Sequence, residues 1–311
     1  MTSSGCRPEA SGSLAPRSTA DGSFSLFSER FNEGFHSSSG AYGEALAKFV
    51  APAQLERFSP GSRLRVVDVC VGLGYNSAAL IEAAAPRGLT LEWVGLELDP
   101  RPLALALAAP SFRSLWQHDT LQVLEQLGDQ GRWQGRHGRG RWWIGDARRT
   151  LPLLASELNG ACDLVLHDAF SPGHCPELWS LEFLAGLGAL LRPDGRLLTY
   201  CAAAAVRKGL QLAGLQLASI GGSAEQPRQR RWCQGTAASP DPLPTSPTGV
   251  LRPLSAMEQE HLATRAAEPY RDPDGRADAL AIAAARQEAQ RHSSAGSTSA
   301  WRRRWGLEGT T

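Results

Sequence analysis

The 311-residue sequence predicts an α/β fold with a mostly parallel, Rossmann-like sheet and helices on both faces. Three observations carry that expectation. Apolar strand-like runs alternate with helix-like runs along most of the chain, the pattern produced by parallel strands joined through crossover helices. The segment 65–76, RVVDVCVGLGYN, passes from a β-branched run through a glycine turn into a helix. Acidic residues close four apolar runs, and ligands of open parallel sheets bind at such strand ends.

In chain order, residues 1–23 are rich in Ser, Ala, Gly and Pro and are expected to be a disordered tail without a secretory leader. Residues 24–60 carry aromatics and a Ser-Gly turn ahead of the first core strand, the place of a substrate shelf. Strands are expected near 64–71, 90–97, 141–145, 162–168, 195–200 and 215–220, where β-branched and apolar residues cluster between turn residues. Helices are expected near 75–85, 100–109, 115–127, 147–157, 176–191 and 203–213. The Gly/Arg-rich stretch 128–140 reads either as a solvated loop or as a phosphate-contacting arm, since Arg132, Arg136, Arg139 and His137 surround Trp133. The expected main domain is therefore 24–240. Residues 241–311 are expected to be a proline-rich linker that begins near 237, a helical extension and a disordered tail, with Arg302, Arg303 and Arg304 as a solvated charge run.

Composition narrows the function classes. An apolar share of 42% supports a sizeable core, and a net charge of +1 argues against a purely electrostatic nucleic-acid binder. The six cysteines, Cys6, Cys70, Cys162, Cys175, Cys201 and Cys233, form no C-x-x-C pair. They read as reduced thiols, not as a disulfide frame or a metal site. No apolar run reaches the roughly 18 residues that span a bilayer, so the expected location is the cytoplasm.

The glycine turn gives the first chemistry. Gly72 and Gly74 allow the backbone to approach a ligand, and the helix behind them offers free N–H groups, with Asn76 on its first turn. Ser77 stands where a dinucleotide fingerprint has its third glycine, and Asp68 precedes the turn. That combination suits a cofactor bearing an ammonium and a carboxylate, namely S-adenosyl-L-methionine. Glu97 lies 23 residues after Gly74, the spacing of a ribose-binding carboxylate. Asp146 can accept from an adenine amino group, or simply cap the helix that follows. Asp68 can take the methionyl ammonium or brace the turn.

Asp168 opens the sequence DAFSP after the strand-like run ACDLVLH. A carboxylate there can orient an amine and help its proton leave, while Phe170 and Trp179 supply an apolar or cation-stabilising wall. Tyr200 ends the next strand, and Arg207 and Lys208 begin the next helix as candidate substrate contacts. His167 is weighed as a base and as a core histidine, and the core position of its strand favours the second.

The segments FHSSSGAYGEA, DVCVGLGYN, GDARRTLP, HDAFSPGHCPELW and LLTYCAAAAVRKGLQLAGL, in that order, resemble the methyltransferase module of the bacterial enzyme family that completes 5-methylaminomethyl-2-thiouridine in tRNA. The resemblance covers roughly residues 24–236 and implies a class I S-adenosylmethionine-dependent methyltransferase fold. It further implies N-methylation of 5-aminomethyl-(2-thio)uridine at the wobble position, with tRNA as partner. It implies cofactor roles for Asp68, Gly72, Gly74, Glu97 and Asp146, a catalytic role for Asp168, and a place at the active site for Glu44. Cys70 departs from the family, which has a glycine there. No second dinucleotide fingerprint follows residue 236, so a stand-alone methyltransferase without the flavin module is expected, its aminomethyl substrate supplied by a separate enzyme. The rival enzyme reading is a spermidine-synthase-like aminopropyltransferase, against which stands the shortage of acids in HDAFSPGHCPE. The rival without catalysis is a methyltransferase-fold scaffold that binds RNA or nucleotide.

Overall fold

The structure, a computed structural model, describes residues 12–38, 40–221 and 234–307. Nine strands form its main sheet in the order β12-β10-β11-β9-β8-β4-β5-β7-β6. These are β4 (Arg63–Val69), β5 (Thr90–Glu97), β6 (Arg132–Gly135), β7 (Gly138–Ile144), β8 (Cys162–His167), β9 (Leu191–Thr199), β10 (Gln216–Ile220), β11 (Gly235–Ser239) and β12 (Leu251–Arg252). The five central strands, β9-β8-β4-β5-β7, pair in parallel, and each margin of the sheet is antiparallel. All six expected strands are present.

The strands bury both faces. Val66, Leu164, Leu198 and Ala237 belong to one apolar cluster, whereas Val67, Val165, Leu197 and Ala238 belong to the other. That split follows the two-residue period of a strand, and it explains why these runs read as continuously apolar. The first cluster is covered by helices at Tyr75–Ala84, Arg101–Ala108 and His118–Gln130, the second by helices at Ala147–Leu158, Leu181–Leu190 and Ala204–Leu212. Strand order reverses at β4: the chain proceeds outward through β5 and β7, then returns to β8 on the other side. A crevice opens at such a reversal, beyond the carboxyl ends of the strands.

Four expectations of disorder or flexibility meet ordered structure. Leu14–Ser18, within the expected tail, is strand β1 of a second, antiparallel sheet with β2 (Phe24–Ser28) and β3 (Glu33–Gly34). Residues 1–11 lie outside the described residues. The 128–140 stretch ends a helix and forms the β6–β7 hairpin, with Trp133 and His137 buried. Arg136 and Arg139 there are held by Asp119 and Glu92. The segment around 237–249 contributes β11 to the sheet, and the final helix, Thr298–Arg304, buries Trp301 against the rest of the chain. The Trp301 indole donates to the Met257 carbonyl at 3.0 Å and stacks on His261 at 3.9 Å. Among the described residues, no helix is long and apolar enough to cross a membrane.

Candidate active site

A cavity of about 430 Å³ opens at the point of reversal. Its walls come from the turn after β4, the ends of β5 and β7, the loop after β8, the end of β9, and the shelf that includes β1–β3. Candidate residues Gly72, Asn76, Glu97, Asp146, Asp168, Phe170, Tyr200 and Glu44 all line it. Asp68, Trp179, Arg207 and Lys208 do not. Gly74 stands just behind, at the N-cap of the helix that follows the turn.

The glycine turn is built for close approach. Gly72 and Gly74 have φ of +56° and +88°, and a Cβ on Gly74 would press into Leu103 and Leu124. Cys70 also has a positive φ, +66°, a conformation that costs a residue with a Cβ about 1–2 kcal/mol and that glycine adopts freely. The geometry thus accounts for the glycine that the resembled family carries at this position.

Glu97 ties the turn to β5. Its Oε2 accepts from the Gly72 N–H at 2.8 Å, and Oε1 accepts from Leu98 and Asp99 N–H at 2.7 and 2.9 Å. Burial nevertheless raises its pKa above the ordinary value, against the lowering effect of these three donors. A buried carboxylate of this kind gains from further donors, and adjacent ribose hydroxyls are such donors. Glu97→Ala is therefore expected to weaken S-adenosyl-L-methionine binding by roughly 10- to 150-fold, or ~1.5–3 kcal/mol, in isothermal titration calorimetry. An unchanged Kd would remove Glu97 from the cofactor site.

Asp146 serves two structures at once. It caps the helix Ala147–Leu158 by accepting from the Arg148 N–H at 3.0 Å, and it also receives the Arg148 guanidinium at 2.8 Å. Arg148 extends to Asp272 at 2.7 Å and to the Ala277 carbonyl at 2.8 Å. Asp146 still borders the cavity, so capping and ligand contact are compatible.

Asp68 is fully buried beneath the turn and accepts from Ser77 Oγ at 2.5 Å. Of its two weighed roles, the position is that of the brace: it does not border the cavity, and burial pushes its pKa up to about 7. A neutral or shared-proton carboxyl suits a brace better than a partner for an ammonium.

Asp168 stands at the mouth of β8. Its N–H donates to the Val69 carbonyl at 3.1 Å, and its Oδ2 accepts from Asn76 Nδ2 at 2.7 Å. Asn76 thus touches the catalytic candidate as well as bordering the cofactor turn. Oδ1 accepts no hydrogen bond from the described residues. Burial raises the Asp168 pKa to about 6, an effect that the Asn76 hydrogen bond and the nearby Lys48 charge only partly offset.

Above Asp168 lies an aromatic roof. Phe170 stacks on Phe31 at 4.5 Å and meets the edge of Phe35 at 4.9 Å. Glu33 accepts from the Ser171 N–H at 2.9 Å, which fastens the shelf to this loop. Lys48 pairs with Glu44 at 2.9 Å and faces the Tyr200 ring at 5.8 Å, while the Tyr200 hydroxyl donates to the Ala169 carbonyl at 2.9 Å. Burial opposes ionisation of Glu44, but Lys48 and Ser37 outweigh it and hold the pKa below the ordinary value.

Three substrate candidates are corrected. Trp179 is fully buried, donates from Nε1 to the Phe170 carbonyl at 2.7 Å, and packs on His167 at 4.3 Å. It supports the loop from behind. Arg207 is buried and bound to Glu258 at 2.8 Å, Thr236 at 2.9 Å and Ser219 at 3.1 Å, so it is a core ion pair. Lys208, its half-buried neighbour, stays away from the cavity. His167 is a core histidine, fully buried, with Nε2 donating to the Leu178 carbonyl at 2.9 Å and a pKa lowered to about 4 by burial.

Sequence reasoning missed Lys48, Phe31, Phe35 and Arg148. The four-residue spacing of Glu44 and Lys48 is a helix-pair signal that could have found the first. The spacing of the two phenylalanines carries no such signal, because their convergence depends on strand β3.

A family described as S-adenosyl-L-methionine-dependent methyltransferase matches residues 110–237. A tRNA 5-methylaminomethyl-2-thiouridine biosynthesis bifunctional protein MnmC from an Azoarcus species is 31% identical over 229 residues, covering 69% of this chain and 35% of that protein. An uncharacterized protein of Methanocaldococcus jannaschii is 28% identical over 194 residues, 62% of this chain and 51% of its own length. The chain thus spans about half or less of these curated relatives. The crystal structure of MnmC2 from Aquifex aeolicus superposes with a TM-score of 0.74 at 25% identity, covering 92% of this chain and 87% of that one. With the parallel sheet, the glycine turn and the cavity at the point of strand reversal, these matches give the chain the fold of the class I S-adenosyl-L-methionine-dependent methyltransferases and a likeness to the MnmC methyltransferase module.

Proposed function

We propose that this enzyme methylates the primary amine of 5-aminomethyl-(2-thio)uridine at the wobble position of tRNA, giving 5-methylaminomethyl-(2-thio)uridine. The observation that carries the reading is Asp168: a carboxyl with a raised pKa and an uncommitted Oδ1, set under an aromatic roof beside the glycine turn. The likeness to the Azoarcus protein of tRNA 5-methylaminomethyl-2-thiouridine biosynthesis supports the tRNA substrate.

The residues present fit the cofactor. The Gly72 turn admits a ligand to its backbone, the buried Glu97 has lone pairs for ribose hydroxyls, and Asp146 borders the same cavity. S-adenosyl-L-methionine, when bound, supplies a methyl group on a sulfonium. The chain must then offer a neutral amine, since an alkylammonium of pKa about 10.4 has no lone pair. Asp168 Oδ1 accepts a hydrogen bond from the amine and aims its lone pair away from the carboxylate. Asn76 fixes the orientation of that carboxylate through Oδ2. As the N–C bond forms at the expense of the sulfonium's S–C bond, whose sulfur would leave as a neutral thioether, the nitrogen becomes positive, and the ionised Asp168 stabilises it and receives its proton at Oδ1. Phe170, Phe31 and Phe35 exclude water above it, and Tyr200 walls the side towards Lys48.

The test is transfer from labelled S-adenosyl-L-methionine to tRNA that carries the aminomethyl group, followed by mass spectrometry of the wobble nucleoside. Label in 5-methylaminomethyl-2-thiouridine is expected; label absent from the wobble nucleoside overturns the reading.

A further inference from the structure

We infer that the small sheet β1–β3 is the RNA-docking shelf of this enzyme, with Arg17 and Arg30 as its phosphate contacts at the mouth of the cavity. The inference rests on the proposed tRNA substrate and places the contact surface that the reading requires. Both arginines are exposed, both border the cavity, and neither makes an ion pair with any described residue. Most other arginines of the outer surface are committed: Arg101 to Asp99, Arg136 to Asp119, Arg139 to Glu92 and Arg141 to Glu157. The hairpin and helix arginines that stand out in the sequence are therefore largely neutralised, while the two at the cavity mouth are not.

Their setting is suited to a nucleotide. The Arg30 guanidinium lies over the Phe31 ring at 5.3 Å, and Phe31 stacks on Phe170, two residues from Asp168. The Arg17 guanidinium lies over the Phe27 ring at 5.6 Å. Guanidiniums held against aromatic faces are pre-placed and stay charged, which suits phosphate oxygens, and neighbouring rings offer faces to unstacked bases. The acids of the same segment leave them free. Asp21 is taken by Thr19 and Ser23, Glu33 by the Ser171 N–H, and Glu29 pairs with neither arginine. A single-stranded loop carrying the reactive uridine into the cavity must pass this rim, so its flanking phosphates meet these two charges.

The experiment uses the full chain and aminomethyl-bearing tRNA, with Kd measured across a potassium chloride series. For R17Q/R30Q, the log–log salt slope is expected to be smaller by about 1.4, roughly 0.7 for each lost contact to a single-stranded phosphate. Each single variant should show about half of that change, and R17K/R30K should restore the slope. The S-adenosyl-L-methionine Kd of each variant reports folding, so lost RNA binding with intact cofactor binding isolates the contacts. A double variant with the wild-type slope, or an equal change in an R132Q/R149Q control, overturns the shelf while leaving the tRNA reading intact. Wild-type protein that neither binds nor methylates tRNA overturns both.

Discussion

Asp168→Asn is expected to slow single-turnover methyl transfer by roughly 10²- to 10⁴-fold, the range contributed by a positioned proton acceptor, while S-adenosyl-L-methionine affinity is nearly unchanged. The amide is isosteric and can still accept from Asn76, so the loop geometry persists and only the proton-accepting charge is lost. The wild-type pH profile is a second readout. Burial holds the Asp168 pKa at about 6, so the ionised, competent form dominates above that pH. Below it the rate should fall more steeply, by a further tenfold per pH unit beyond the slope set by amine protonation, and this break should vanish in the variant. Equal losses of rate and cofactor affinity would instead mark Asp168 as a cofactor or folding residue.

Arg207→Ala is expected to destabilise the fold by about 3–5 kcal/mol in urea unfolding, because it strands the buried Glu258 carboxylate. Burial alone would raise the Glu258 pKa, yet Arg207, Ser255 and Ser219 together lower it to about 2. The sign of the pH effect follows. The unfolded group titrates near its ordinary value of 4.5, so the stabilisation is complete above that pH and is lost as pH falls towards about 2. The variant should lack this acid-side loss and should keep the wild-type salt slope for tRNA. A stable variant with weakened RNA binding would return Arg207 to the substrate surface.

The two residues show where sequence reasoning reaches and where it stops. Asp168 was legible because a strand of a parallel sheet delivers its last residue to the ligand edge, and an apolar run ending in an acid marks that edge. The six expected strands and their helices were legible from periodicity. Arg207 was not, since an arginine on an amphipathic helix looks solvated until β10, β11 and the helix at Ala256–His261 close over it. Strands β6, β11 and β12 and the small sheet escaped notice because they are short and rich in Gly, Ala, Ser or Arg, so cross-strand partners, not propensity, make them strands.

Arg148 is shared between Asp146, on the cavity wall, and Asp272, in the segment that follows the main sheet. Asp272 is itself buried, and its N–H donates to Glu182 at 2.8 Å. Packing of the C-terminal segment and the placement of a carboxylate on the cavity wall therefore draw on one guanidinium. Thermodynamic linkage makes that relation reciprocal: by whatever factor a seated segment changes ligand affinity, a bound ligand changes the seating equilibrium by the same factor. Residues beyond 250, which the sequence presents as an appendage, thus share an ion-pair partner with the wall of the active-site cavity.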